Sequence, residues 1–163
     1  MTRSSEMGPL AAVCVRRAQA ADMDALVDLL HLLFTLEADF AFEATRQHRG
    51  LAMMLAANNA VILIAEAENR VIGMCSGQLT IATAEGGPAL LVEDVVVNEA
   101  WQGQGVGSQL MQALGKWARS RNIERLQLLA DRNNQAALEF YNKLGWQTTE
   151  LICLRQRLPL QTT

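Results

Sequence analysis

The chain has 163 residues, half of them apolar and 19% charged, with 14 Lys and Arg against 17 Asp and Glu for a formal charge of −3. A chain of this length is expected to form one domain burying roughly 70% of its unfolded surface, and its acidic balance disfavours duplex nucleic acid, which usually needs a clustered basic surface. No apolar run approaches the roughly 20 residues that span a bilayer, and MTRSSEMGPL has no apolar core for a secretory signal, so residues 1–10 read as a flexible leader and 11–163 as a single cytoplasmic domain with no membrane partner.

A first strand is predicted over Ala11 to Arg17, around Val13 and Val15. Asp22 then stands where a helix N-cap belongs, with Leu26, Leu29, Leu30 and Leu33 at helical spacing behind it and an end near Glu37. Ala38 to Glu43 alternates aromatic and acidic residues and reads as a loop. A second helix over Ala44 to Ala57 carries Leu51, Met54 and Leu55 on one face and Arg46, His48 and Arg49 on the other. His31 and His48, in these two helices, have no partner pattern and read as surface or packed side chains. From Ala60 the period changes to that of strands: Ala60 onward, a hairpin turn at Glu68-Asn69-Arg70, Val71 to Thr80, a turn at Glu85-Gly86-Gly87-Pro88, and Ala89 to Val97. Short turns make these neighbours antiparallel. A helical stripe comes next (Val106, Leu110, Met111, Leu114, Trp117, Ala118), then a strand over Ile123 to Ala130, a helix over Gln135 to Leu144 and a last strand from Trp146 to about Leu158. Cys14, Cys75 and Cys153 all fall in strand-like segments without metal spacing and read as buried reduced thiols; no metal site is indicated. The order β-α-α-β-β-β-α-β-α-β implies an α+β, three-layer arrangement around a mixed sheet.

The stretch from Leu90 to Ser108, LLVEDVVVNEAWQGQGVGS, is an apolar strand interrupted by Glu93 and Asp94 that delivers a glycine loop to a helix N-terminus. Such a junction holds phosphate, because helix N-terminal N–H groups lack intrahelical partners, the dipole favours negative charge and glycine admits a ligand to the backbone. A dinucleotide fingerprint would want Gly-x-Gly-x-x-Gly after the first strand and an acidic residue ending the next; Asp131 meets the second condition, but Gly103, Gly105 and Gly107 miss the first and antiparallel strands precede them. A P-loop is excluded because no Lys-Ser/Thr stands after the glycines.

Gln102-Gly103-Gln104-Gly105-Val106-Gly107 resembles the Gln/Arg-x-x-Gly-x-Gly/Ala signature of the GNAT superfamily of acyl-CoA-dependent N-acetyltransferases. Asn134-x-x-Ala137-x-x-x-Tyr141-x-x-x-Gly145-Trp146 is similar to the second half of that signature. The likeness is close from Leu90 to Trp146 and looser outside it; Gln102 stands where arginine is commoner and Trp146 where phenylalanine is usual. It implies a GNAT-like three-layer α/β/α fold with a central, mostly antiparallel mixed sheet. It implies acetyl-CoA as acyl donor, with Val95, Val96, Val97, Gln102, Gly103, Gln104, Gly105, Val106, Gly107, Ser108 and Asn134 as its contacts. Homodimers are common among similar proteins.

Acetyl transfer to an amine requires removal of a proton, stabilisation of the thioester oxygen as charge develops and protonation of the departing thiolate. Glu93, set in an apolar strand, is the candidate base, directly or through water; an edge charge facing solvent is the alternative. Alternation puts Asp94 on the opposite face from Glu93 unless a bulge intervenes, which gives Asp94 a mainly structural role. In the resembled family a bulge in this strand frees backbone groups, here of Val95, Val96 and Val97; an uninterrupted ladder is the alternative. Tyr141, the chain's one tyrosine, would protonate the leaving sulfur or, alternatively, be a core aromatic. Asn134 would bond the pantetheine arm, cap its helix, or both. Arg132 and Lys143 would meet the ribose phosphate or be solvated. Thr35, Glu37, Asp39 and Glu43 lie in the helix–loop–helix segment that borders the acceptor pocket in that family. The resulting expectation is transfer of acetyl from acetyl-CoA to a primary amine of a small molecule by direct attack in a ternary complex. The alternatives are a protein N-terminal or lysine acetyltransferase and a non-catalytic acyl-CoA or dinucleotide-binding module.

Overall fold

The computed structural model describes residues 12–37 and 39–159; the expected leader, residues 1–10, lies outside them. The chain divides into two compact units, one up to Leu128 and one from Leu129. The first holds β1 (Cys14–Arg17), α1 (Met23–Leu36), α2 (Ala44–Ala56), β2 (Ala60–Ala67), β3 (Arg70–Ala82), β4 (Gly87–Val97), α3 (Val106–Arg119) and β5 (Leu126–Leu128). The strands form one sheet in the order β1-β2-β3-β4-β5, antiparallel up to β4 and parallel between β4 and β5. The mixed, mostly antiparallel sheet is the expected one. No helix among the described residues is long and apolar enough to cross a membrane.

Local chemistry explains the elements. The β2–β3 hairpin closes on Glu68 and Asn69, both with positive φ (52° and 57°), the conformation a two-residue turn needs to match strand twist. β2 is apolar on both sides because both are covered. Ile62 and Ile64, with Met74 of β3 and Val96 of β4, pack against Leu26, Leu29 and Leu30 of α1 and Leu51 of α2. The alternate residues meet α3 across the other face, where buried Cys75 points its thiol at the Leu110 carbonyl. Gly73 suits the close approach there: a Cβ would stand 3.0 Å from the Val96 carbonyl oxygen and 3.3 Å from Leu110. The α3 stripe buries Val106, Leu110, Met111, Leu114 and Ala118 as expected, while Trp117 stays part-exposed beneath the Arg121 guanidinium. Helices on both faces of the sheet give three layers.

Four expectations need correction. Asp22 stands at the N-cap position of α1 as expected but does not cap the helix with its side chain; its carboxylate turns back to accept from the Gln19 N–H and from Arg16. β5 is three residues, shorter than Ile123–Ala130. Residues 146–159 hold no strand, although their composition is strand-like, because β propensity is expressed only against a ladder partner and none is present among the described residues. Only Cys75 of the three cysteines is buried; Cys14 and Cys153 are exposed. In the second unit, α4 (Gln135–Lys143) is capped by Asn134, whose side-chain oxygen accepts from Ala137 N–H, and it ends on Gly145 at φ 88°. The Trp146 N–H bonds back to the Tyr141 carbonyl, a glycine-terminated helix end.

Arg16 ties the first strand to both of its neighbours. Its guanidinium meets Asp22 at 2.8 and 2.9 Å and Glu66 of β2 at 2.6 and 3.0 Å. These bonds from Arg16 hold the nearly buried Asp22 carboxyl below its usual range. A lowered carboxyl pKa contributes stability above the ordinary 3.8 and loses it as pH falls through the folded value. Arg16→Met should therefore cost about 1–2 kcal/mol at pH 7, discounted for the arginine's partial exposure. In thermal unfolding scans its deficit should shrink as Asp22 is neutralised below pH 3.8; a pH-independent deficit would show that packing, not charge, is what Arg16 supplies.

Candidate functional site

The glycine loop leaves β4 through a short 3-10 turn, Glu99–Trp101, and enters α3 at Gly105. Gly103 and Gly105 both have positive φ (73° and 81°), and a Cβ on either would meet nothing within 4 Å, so the backbone lies open to an approaching group. No side chain caps α3 at Gly105, and Val106, Gly107 and Ser108 occupy the first turn, where N–H groups lack intrahelical acceptors. The two glutamines point elsewhere. The Gln102 side chain donates to the Val97 carbonyl and that of Gln104 to the Ala100 carbonyl, both at 2.9 Å. They brace the loop, and the anion-holding capacity rests on backbone N–H groups and the helix dipole.

β4 carries the irregularity that alternation cannot reveal. Ser76 stands opposite Glu93 and Met74 opposite Val96, so Cys75 faces two residues, Asp94 and Val95. This is a β-bulge, with Asp94 in the left-handed region at φ 51°. The extra residue returns Asp94 to the face of its neighbour. Gln78 Nε2 donates to Glu93 at 3.3 Å, and the Ser76 hydroxyl shares its one proton between Asp94 Oδ2 at 3.2 Å and the Glu93 carbonyl at 3.1 Å. Both carboxylates thus sit on the α1–α2 side, and the expectation of opposite faces is overturned by the bulge. Glu93, expected to be desolvated in its apolar strand, is exposed, the alternative reading. Burial, helped by the charges of Glu93 and Glu37 and opposed by the Ser76 hydrogen bond, pushes the Asp94 carboxyl up to about 6.

The β4–β5 ladder runs only from Leu90–Leu126 to Val92–Leu128. Beyond it, Glu93 to Val97 have no ladder partner on that edge among the described residues. The Asn98 N–H bonds to the Ile72 carbonyl, so two-residue alternation turns the backbone groups of Val96 toward β3 and those of Val97, and of Val95 at the bulge, toward the open edge. The Val97 carbonyl is the one Gln102 takes.

Asp94 and Gln78 form the floor of a cleft of about 410 Å3 between the sheet and the first two helices. Its walls come from Leu30 and Phe34 of α1 and from Arg46, Gly50, Leu51, Met53 and Met54 of α2. Thr35, Glu37, Asp39 and Glu43, expected at its border, are not in its lining; the face of α2 supplies it instead. His31 and His48 are not in it either, and His31 stacks on Phe42 at 4.3 Å. The apolar stripe and the mid-helix Gly50 were visible signals for this wall.

Tyr141 and Asn134 belong to the second unit. The Tyr141 ring packs edge-on to Phe140 at 5.1 Å and against Trp146 at 5.8 Å, which orders the aromatic end of α4. Asn134 performs its capping role there, and Arg132 and Lys143 are exposed. Asp131, the dinucleotide candidate, accepts from the Asn133 N–H in its own turn.

A model of the acetyltransferase (GNAT) family matches residues 24–146. An uncharacterized N-acetyltransferase, YobR, of Bacillus subtilis is 31% identical over 70 residues, which are 43% of this chain; the match spans about a quarter (27%) of that relative's length. A predicted acetyltransferase from Clostridium acetobutylicum, solved with acetyl-CoA, superposes with a TM-score of 0.74 at 22% identity over 88% of this chain and 96% of its own. An aminoglycoside acetyltransferase from an uncultured soil metagenomic sample, in complex with trehalose, does so at 0.76 and 21% over 90% and 97%. At these identities the two structures speak for the fold.

Asp94 makes stability depend on pH. Between its ordinary 3.8 and about 6 the folded chain holds a proton that the unfolded chain has released, so stability falls as pH rises through that window. Above it the ionised carboxylate costs on the order of 3 kcal/mol. Asp94→Asn should raise the melting temperature at pH 8 and lose that advantage by pH 4, measured by calorimetric scans; equal melting temperatures at pH 8 would contradict the burial cost.

Proposed function

The chain belongs to the acetyltransferase (GNAT) family, and from that premise we propose that it transfers the acetyl group of acetyl-CoA to the primary amine of a small molecule, by direct attack in a ternary complex. The observation that carries this reading is the continuity of β4, from the bulge at Asp94 past the open edge at Val95 and Val97 to the uncapped start of α3. The residues present fit acetyl-CoA. Gly103 and Gly105 leave the backbone open, and the N–H groups of Val106, Gly107 and Ser108 suit a pyrophosphate. The Val95 and Val97 edge suits an amide-bearing arm, and Asn134 is a further contact of that arm beside its capping role. Gln102 and Gln104 support this cradle by bracing it. Bound there, acetyl-CoA supplies an activated acyl thioester.

The protein's own groups then have two proton transfers to perform. Asp94, at the floor of the cleft with its carboxyl pushed by burial up to about 6, accepts the proton of the incoming ammonium. Glu93, on the same face and exposed, is the second candidate, acting through water. Tyr141, whose free pKa of about 10 exceeds that of a thiol, donates a proton to the leaving sulfur. The size of the cleft supports a small amine over a peptide.

Calorimetry should register acetyl-CoA binding, and amines should trigger release of CoA thiol; no binding at millimolar acetyl-CoA overturns the proposal, and binding without release from any amine leaves a non-catalytic module. Asp94→Asn should lower kcat/KM about 100-fold and remove the acid limb near pH 6, whereas Glu93→Gln should keep that limb. Tyr141→Phe should lower turnover more than it weakens acetyl-CoA binding; unchanged turnover removes it from the acid role.

A further inference from the structure

Resting on the acetyl-transfer reading, we propose that the cleft selects a primary amine carried on an apolar body, aromatic or branched aliphatic, and discriminates against polyhydroxylated or polycationic amines. The walls carry the inference. Leu30, Phe34, Leu51, Met53 and Met54 face the cleft, and Phe34 is backed by Phe40 at a ring separation of 5.5 Å, which gives a fixed aromatic side. Against them stands a single lining carboxylate, Asp94, at the floor, with Gln78 beside it. One ammonium is thereby matched. Glu93 and Glu37, whose charges reach Asp94, lie outside the lining, so a second or third ammonium held within the cleft would lie against methionine and phenylalanine, or near Arg46, the cation of the lining, whose exposed guanidinium is 3.3 Å from Glu43. A sugar's hydroxyl groups would likewise be desolvated without partners along this wall, a cost that burying apolar surface does not incur.

Gly50, an exposed residue, keeps the α2 rim of the cleft open. It lies within α2, lines the cleft, and a Cβ there would meet nothing within 4 Å. The helix gives up propensity at this position, and a side chain placed there would narrow the entrance for an apolar body.

The test compares β-phenylethylamine, glucosamine and spermidine at equal concentration by release of CoA thiol, with acetyl-CoA affinity measured separately. β-Phenylethylamine should show a kcat/KM at least about tenfold above the other two. Gly50→Phe should raise its KM about tenfold and leave acetyl-CoA affinity unchanged. Met54→Glu, which adds a second carboxylate to the wall, should move the preference toward spermidine. Equal or faster release with glucosamine or spermidine in the unaltered protein overturns the inference while acetyl transfer stands, as does an unchanged KM in Gly50→Phe. Bound acetyl-CoA with no release from any amine overturns the transfer reading and this inference with it.

Discussion

Where β4 passes Cys75, two of its residues, Asp94 and Val95, occupy the space of one. That insertion is held from both sides. On one face Ile62, Ile64, Met74 and Val96 are locked under α1 and α2; on the other, Cys75 and Gly73 sit against Leu110 of α3. Without such covering, a strand with a non-glycine residue at positive φ would relax into regular pairing. The bulge re-aims Asp94 into the cleft and reverses the side of every later residue in β4, which is how Val96 comes to join the α1–α2 core. Fully buried Ser76 sits at the same place, and its hydroxyl lies within hydrogen-bond distance of both the Asp94 carboxylate and the Glu93 carbonyl, so each of these has a partner at the distortion.

The same strand separates two kinds of chemistry. Its open edge and the loop beyond it offer backbone groups and a helix dipole, which recognise charge and amides without side-chain cations. Its bulged face offers one part-buried carboxylate among apolar walls. The two environments are reached by the same short run of residues, so an acyl donor and an acceptor held by them would meet at the bulge with little rearrangement.

Local signals in the sequence were enough for much of this. The hairpin at Glu68 and Asn69, the α3 stripe and the Asn134 cap are each specified by a few neighbouring residues, and each stands where its pattern put it. The site was harder to read. Strand alternation puts Asp94 on the face opposite Glu93, and only the pairing of Cys75 against two residues, a fact of tertiary register, brings Asp94 to the α1–α2 side. The segment from 146 to 159 misled for a related reason: its apolar residues have strand composition, but pairing depends on a partner that composition does not name. The cysteines show the same limit, since a strand-like context predicted burial for all three and the sheet buries only Cys75.

The seat of Cys75 has a practical side. Its thiol is fully buried with its pKa pushed up to about 12, whereas Cys14 and Cys153 are exposed. A disulfide reagent in the folded protein therefore titrates two sulfhydryls and spares the third, because the thiolate, not the thiol, reacts. Any colorimetric measurement of liberated CoA carries that background of two per chain. A third equivalent appears only once the sheet opens at the bulge, which turns the same reagent into a counter of unfolded molecules.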